Sequence, residues 1–231
     1  YIILPGPQTG EGWYNAGTSP IPFAPDPSAN FARGIAAPFS IQQLADAVVW
    51  LSRGSEGDYT VVRMPGFSPG RISTHAVELA ISGYGDTVGV DDAIGQVYGE
   101  HGHLFYLLTF ATAGVTWAYD AITAGKANPW AKRQTWISED GRYTYWRNVF
   151  QTFAFGKHLT SDPNTNVISE LNHPFSADVE GRPIRWVRRS PAVLHELQRL
   201  TISHLELLLE VGVGTQTGQG ADPSIVLRVS R

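Results

Sequence analysis

Gly102-His103-Leu104-Phe105-Tyr106-Leu107-Leu108-Thr109-Phe110, followed by Gly114-Val115-Thr116-Trp117-Ala118-Tyr119-Asp120, decides the fold class of this chain. The two runs read as adjacent antiparallel strands with a short connection. The first is apolar on both faces: Leu104, Tyr106, Leu108 and Phe110 point one way, Phe105 and Leu107 the other. Such a strand belongs between two layers. The second alternates Val115, Trp117 and Tyr119 against Thr116, Ala118 and Asp120, as a strand nearer solvent does. This is the pattern of a stacked β protein.

The pattern recurs outward from there. Asp46–Leu51 and Tyr59–Met64 form an earlier pair around a Gly/Ser turn. Val149–Gly156 and Val167–Leu171 form a later pair around Asp162-Pro163-Asn164. First-strand centres fall near Trp50, Tyr106 and Phe153, a spacing of about fifty residues that matches a propeller blade. The expected fold is therefore all-β. It is a partial β-propeller of blade-like antiparallel units, with one short helix and additional C-terminal strands. The helix is read from a Ser73 or Thr74 cap through Ala76, Val77, Leu79, Ala80 and Ile81 to Gly83.

Three regions follow from composition. Residues 1–44 hold Pro5, Pro7, Pro20, Pro22, Pro25, Pro27 and Pro38 with several glycines, and read as a loop or extended arm. The apolar Trp13, Tyr14, Ile21, Phe23 and Phe31 in it need cover, from its own domain or from a neighbouring subunit. Residues 45–182 hold the blades, and residues 183–231 a C-terminal β region. There Pro183–Arg189 reads as an exposed strand, residues 194–213 as strands in preference to a leucine-faced helix, and Ser224–Val229 as a last strand.

The chain of 231 residues has 16 % charged residues and a net charge of −4, so a broad electrostatic footprint for nucleic acid is lacking. So low a charge fraction points to a surface partly covered by partners. With no cysteine, disulfides, thiolate metal sites and thiol catalysis are excluded. No apolar run reaches membrane-span length. The opening Tyr1–Gly6 has neither Met nor a basic stretch, so a signal peptide is not expected and a piece of a longer protein is.

Candidate chemistry is thin. His101 and His103 could share one face and bind metal, but no third ligand sits at a telling spacing, and turn histidines are the better reading. Asp162-Pro163-Asn164-Thr165-Asn166 opens like a calcium loop yet lacks its Gly and terminal Glu, so an Asx turn explains it better. Asp91-Asp92 and Glu139-Asp140-Gly141 could be glycosidase-like acids but read as turns. The Gly212–Gly220 tract lacks the Lys-Ser/Thr and the helix of a phosphate loop. Arg182, Arg185, Arg188 and Arg189 around Trp186 form either a solvated strand edge or an anchor for a polar or anionic partner. The partner-binding candidates are thus Arg185, Trp186, Arg188, Arg189, Trp13 and Tyr14; no catalytic residue, metal or cofactor is expected.

The wording of several stretches resembles a known family. These are Gly66-Phe67-Ser68-Pro69-Gly70-Arg71-Ile72-Ser73-Thr74-His75-Ala76-Val77-Glu78, then Gly102–Tyr106 through Trp117–Asp120, and Phe153-Ala154-Phe155-Gly156-Lys157-His158-Leu159. With the Gly212–Asp222 tract and Leu227-Arg228, they resemble in order the tail hub, or packaged-DNA stabilisation, proteins of short-tailed phages. The family's tight Thr-Gly turn after Tyr-Asp is here the longer Thr123–Pro129 connection to Trp130. The resemblance implies a propeller-like, non-enzymatic virion protein, assembled in the host cytoplasm as a homo-oligomeric ring. Its implied partners are portal and adaptor, tail needle and tailspikes, and it would enclose DNA without sequence readout. The alternatives from other classes are a carbohydrate-active propeller enzyme using Asp91 or Glu139, and a generic propeller interaction module.

Overall fold

In a computed structural model, the described residues are 1–54, 56–172, 174, 175, 177, 178, 181–189, 201, 203, 204, 206–208 and 224–228. The chain divides into two compact units, Tyr1–Thr135 with Tyr143–Leu171, and Trp136–Arg142 with Asn172–Arg231. The first unit is built of meanders, each strand pairing antiparallel with its neighbour in sequence.

The first meander is β1 (Ile2–Pro5), β2 (Gly10–Asn15) and β3 (Phe23–Phe31). The second is β4 (Gln42–Leu44), β5 (Ala47–Arg53), β6 (Tyr59–Pro65) and β7 (Gly70–Arg71). A helix, α1 (His75–Thr87), leads to the third: β8 (Ile94–Glu100), β9 (His103–Phe110), β10 (Val115–Asp120), β11 (Trp130–Ile137) and β12 (Arg142–Tyr145). The fourth is β13 (Val149–Ala154), β14 (Lys157–Ser161) and β15 (Ile168–Leu171). The second unit holds a short hairpin of β16 (Ala177–Asp178) and β17 (Arg182–Pro183). The fold is all-β and propeller-like, as the repeat predicts.

The decisive pair registers as expected, with Tyr119 opposite Tyr106 and Val115 opposite Phe110. Tyr106, Leu107, Leu108 and Phe110 are fully buried because sheet and helix cover both faces of β9. Burying side chains of this size stabilises by roughly 1.5–3 kcal/mol each.

Polar bonds fix the seams between successive sheets. Phe31 meets Trp50 at 5.8 Å, and the Trp50 indole donates to the Gly34 carbonyl at 3.0 Å. Between the second and third sheets the buried Tyr106 hydroxyl donates to the Ser40 carbonyl at 2.7 Å, and Gln42 donates to the Gly95 carbonyl at 2.9 Å. Gly95 is required there: a Cβ would lie 2.3 Å from the Ser40 oxygen. Between the third and fourth, Gln96 donates to the Asn148 carbonyl at 3.0 Å, and Trp146 N–H to the Thr116 hydroxyl at 3.0 Å. Each seam thus satisfies polar groups that burial would otherwise leave costly.

Several expectations need correction. The Pro/Gly-rich opening is no loop but the first meander. Pro5 ends β1 and Pro25 and Pro27 lie on β3, an outer strand of its sheet, where proline is tolerated, while Pro7, Pro20, Pro22 and Pro38 lie between strands. The partner of β13 is β14, joined through Phe155-Gly156, and not the later strand; Asp162–Val167 links β14 to β15. Helix α1 runs past Gly83 to Thr87 and is closed by Gly89 (φ +88°), whose N–H reaches the Tyr84 carbonyl at 3.0 Å. Gly85 lies against the Tyr59 ring, which a Cβ would meet at 2.6 Å. Residues 184–189 and 224–228 are not strands; only Arg182–Pro183 pairs. Most of 194–213 and all of the Gly212–Gly220 tract lie outside the described residues.

Candidate partner-binding surfaces

The residues singled out for metal or acid chemistry have structural roles. His103 Nδ1 lies 2.7 Å from Asp120 Oδ2, binding β9 to the neighbouring strand β10. Asp120 also accepts from the Ile122 N–H at 3.0 Å and from the Thr123 hydroxyl, which shapes the longer Thr123–Pro129 connection. Burial raises the Asp120 pKa, but the Thr123, His103 and Ile122 hydrogen bonds outweigh it and hold the carboxyl below its ordinary value. His101 takes φ +49° in the turn before β9. Asp92 accepts the Thr112 N–H at 2.7 Å, stapling the β9–β10 turn, and Asp91 is exposed. Glu139 and Asp140 belong to the second unit's Trp136–Arg142 segment, where Asp140 meets Arg142 at 2.9 Å. Among the described residues no three His, Asp or Glu side chains gather to hold a metal ion.

Asp162 forms an Asx turn, accepting the Asn164 N–H at 2.9 Å. Its other oxygen pairs with Arg147, and both side chains are almost fully buried. The carboxylate that could have opened a calcium loop is therefore committed to Arg147, which precedes β13.

The family-like stretch Gly66–Glu78 is a joint. Gly66 (φ +63°) turns the chain from β6 toward β7. Arg71 meets Glu78 at 2.7 Å, the Ser73 hydroxyl donates to Glu78 at 2.6 Å, and the same hydroxyl accepts the Val61 N–H at 3.0 Å. Glu78 is not the partner of a helix-capping box; it ties the sheet to α1.

The partner-binding candidates fall in both units. In the second, the Arg185 guanidinium lies 4.7 Å from the Trp136 ring centre, while Trp186 is 89 % exposed and Arg188 and Arg189 are exposed. In the first, Trp13 and Tyr14 lie on opposite faces of β2; Trp13 is half-buried opposite Ile2 and Pro25, and Tyr14 is exposed. Four of the six thus belong to the second unit and two to the first.

Sequence reasoning passed over a third surface. On β13 and its turn, Phe150, Phe153 and Phe155 are exposed by 58 %, 65 % and 95 %. Phe150 (φ +64°) sits at a bulge and Phe155 (φ +56°) in the two-residue turn with Gly156 (φ +73°). Positive φ is unusual for an aromatic residue. The signal was present as Phe-Gly where a hairpin of this type prefers Asn-Gly. Deeper in the same region Arg133 lies over the rings of Phe105, Tyr98 and Trp146 at 4.6, 5.3 and 5.4 Å, and burial lowers its pKa to about 10.

Consecutive antiparallel meanders joined by polar-sealed seams define an all-β, propeller-like protein. Residues 1–176 match the family described as Bacteriophage P22 Gp10, beta-propeller, and the chain belongs to that phage stabilisation family. It is a phage packaged-DNA stabilisation protein, and such a structural protein belongs to the virion. No curated protein gives a significant match. No helix among the described residues is long and apolar enough to cross a membrane.

Proposed function

We propose that this protein is a non-enzymatic component of the tail hub of a short-tailed phage. It assembles in the host cytoplasm as a homo-oligomeric ring below portal and adaptor and offers a platform to tail needle and tailspikes. The observation that carries this reading is the family match, which covers every strand from β1 to β15. The sealed seams fit the role: sheets locked by buried hydrogen bonds keep a channel wall at fixed dimensions against DNA pressure. A net charge of −4 suits a wall that encloses DNA rather than gripping its phosphates. Retention then comes from closure, with no readout of sequence. Arg185, Trp186, Arg188 and Arg189 serve as partner anchors, as exposed Arg and Trp do at interfaces.

The test is a phage lacking this protein. Its heads should package a full genome and then lose it, so that the DNA becomes nuclease-sensitive. Filled, nuclease-resistant particles from that deletion would contradict the proposal.

A further inference from the structure

Arg133 is a cation in a cage of rings with no acid to answer it. Tyr98 registers opposite Phe105 on the third sheet, and alternation puts Arg133 of β11, opposite Thr116, on the same face. The side chain reaches along that face to Phe105 and Tyr98, and Trp146 lies 5.4 Å from the guanidinium carbon. Nη1 donates to the Tyr98 hydroxyl; the remaining N–H groups have no bond among the described residues and are not sealed from solvent. Burial lowers its pKa, and no carboxylate acts against that. Arg147, which follows Trp146 in the chain, has Asp162 instead. The three rings offset part of the cost of burying a charge, and an anion would offset the rest.

The surroundings select the anion. The exposed His103 ring stacks on Phe105 at 5.8 Å. Phe153, 65 % exposed, meets His158 at 4.9 Å, and His158 stands edge-on to Tyr98 at 6.2 Å. The nearest lysines in sequence are engaged elsewhere: Lys132 lies on the opposite face over Trp117 at 5.0 Å, and Lys157 is paired with Glu170 at 2.7 Å. A phosphodiester backbone is held by several Lys and Arg together. A lone guanidinium among aromatic rings matches one planar carboxylate, which its fork takes through two parallel hydrogen bonds.

We infer that Arg133 receives the carboxylate of a Glu or Asp side chain of a partner protein, with an aromatic neighbour of that side chain resting on the flanking His103 or Phe153 ring. Arg framed by Tyr and Trp is the composition that anchors protein interfaces. The inference rests on the platform reading above and gives the chemistry of one of its contacts.

The test titrates the 231-residue chain with the capped tripeptide Phe-Glu-Phe, its Phe-Gln-Phe counterpart and inorganic phosphate, followed by calorimetry and by tryptophan fluorescence. The Glu peptide should bind at least about tenfold more tightly than the Gln peptide, a difference of about 1.4 kcal/mol. Arg133→Met, which keeps an apolar stem among the rings, should erase that preference. Arg133→Lys keeps the charge without the fork and should retain only part of it, which covers the case where the Met variant fails to fold. Equal binding of the two peptides, no binding of either, or a preference that survives in Arg133→Met would overturn the inference. Phosphate binding as tight as the Glu peptide would overturn the choice of a carboxylate. None of these results touches the platform reading, which the deletion phage tests separately.

Discussion

Replacing Tyr106 with Phe removes a single oxygen from the seam between the second and third sheets. The ring stays, so the packing of β9 is unchanged and no cavity larger than a hydroxyl forms. What disappears is the 2.7 Å bond to the Ser40 carbonyl, made where Tyr106 is wholly buried. Burial pushes the phenol far above its ordinary pKa, so it is a neutral donor at every working pH. A buried bond of this kind contributes about 1 kcal/mol net, and a carbonyl left without that donor costs about 1–3 kcal/mol. The expected loss is therefore about 2 kcal/mol. Ser40 already spends its side chain on both neighbours: the hydroxyl donates to the Ala37 carbonyl at 2.6 Å and accepts the Leu51 N–H at 3.0 Å. It has no spare group to compensate. Urea unfolding should show a lower midpoint at unchanged slope, since the surface exposed on unfolding is the same. A change under about 0.5 kcal/mol would refute the claim that this bond locks the seam.

Four further outcomes are expected. Gly95→Ala drives a methyl against the Ser40 carbonyl, where neither backbone can yield cheaply, and should cost more than about 3 kcal/mol or prevent folding, as read by urea midpoint or soluble yield. Asp162→Ala leaves Arg147 as a buried charge without this partner and should cost about 3–5 kcal/mol by the same assay, more than Asp162→Asn. Phe155→Asn should raise the stability of the chain by about 1 kcal/mol, because Asn accepts positive φ more readily, as read by a thermal melt. Asp120, held below its ordinary pKa when folded, contributes stability that is present above the unfolded carboxylate value of about 3.9 and lost as pH falls through the lower folded one. Asp120→Asn should flatten that part of the acid-denaturation curve, followed by tryptophan fluorescence.

The β9–β10 pair was legible because two-sided burial leaves a mark in sequence: six apolar side chains on alternating faces. The same rule found β5–β6. It failed on β1–β3, where Pro25 and Pro27 mimic a loop; proline is tolerated on an outer strand, and composition does not reveal which strand is outermost. It also misplaced the hairpin after Phe153, because Asp162-Pro163-Asn164 is a stronger turn signal than Phe155-Gly156, although the latter is the true β13–β14 turn. The candidate surfaces were harder still. Arg185 and Trp186 announce themselves by type, but the exposed Phe150, Phe153 and Phe155 look like core residues until the register turns them outward. His103 and Asp162 looked like ligands because spacing alone cannot show that Asp120 and Arg147 already engage them.

The measurement that bears most directly on the central claim is an image of the intact particle at modest resolution, with this protein tagged or absent in parallel. The account predicts ring-shaped density between portal and needle that carries the tag and disappears with the protein. Tagged density on the capsid exterior, or a portal–needle junction unchanged without the protein, would contradict it.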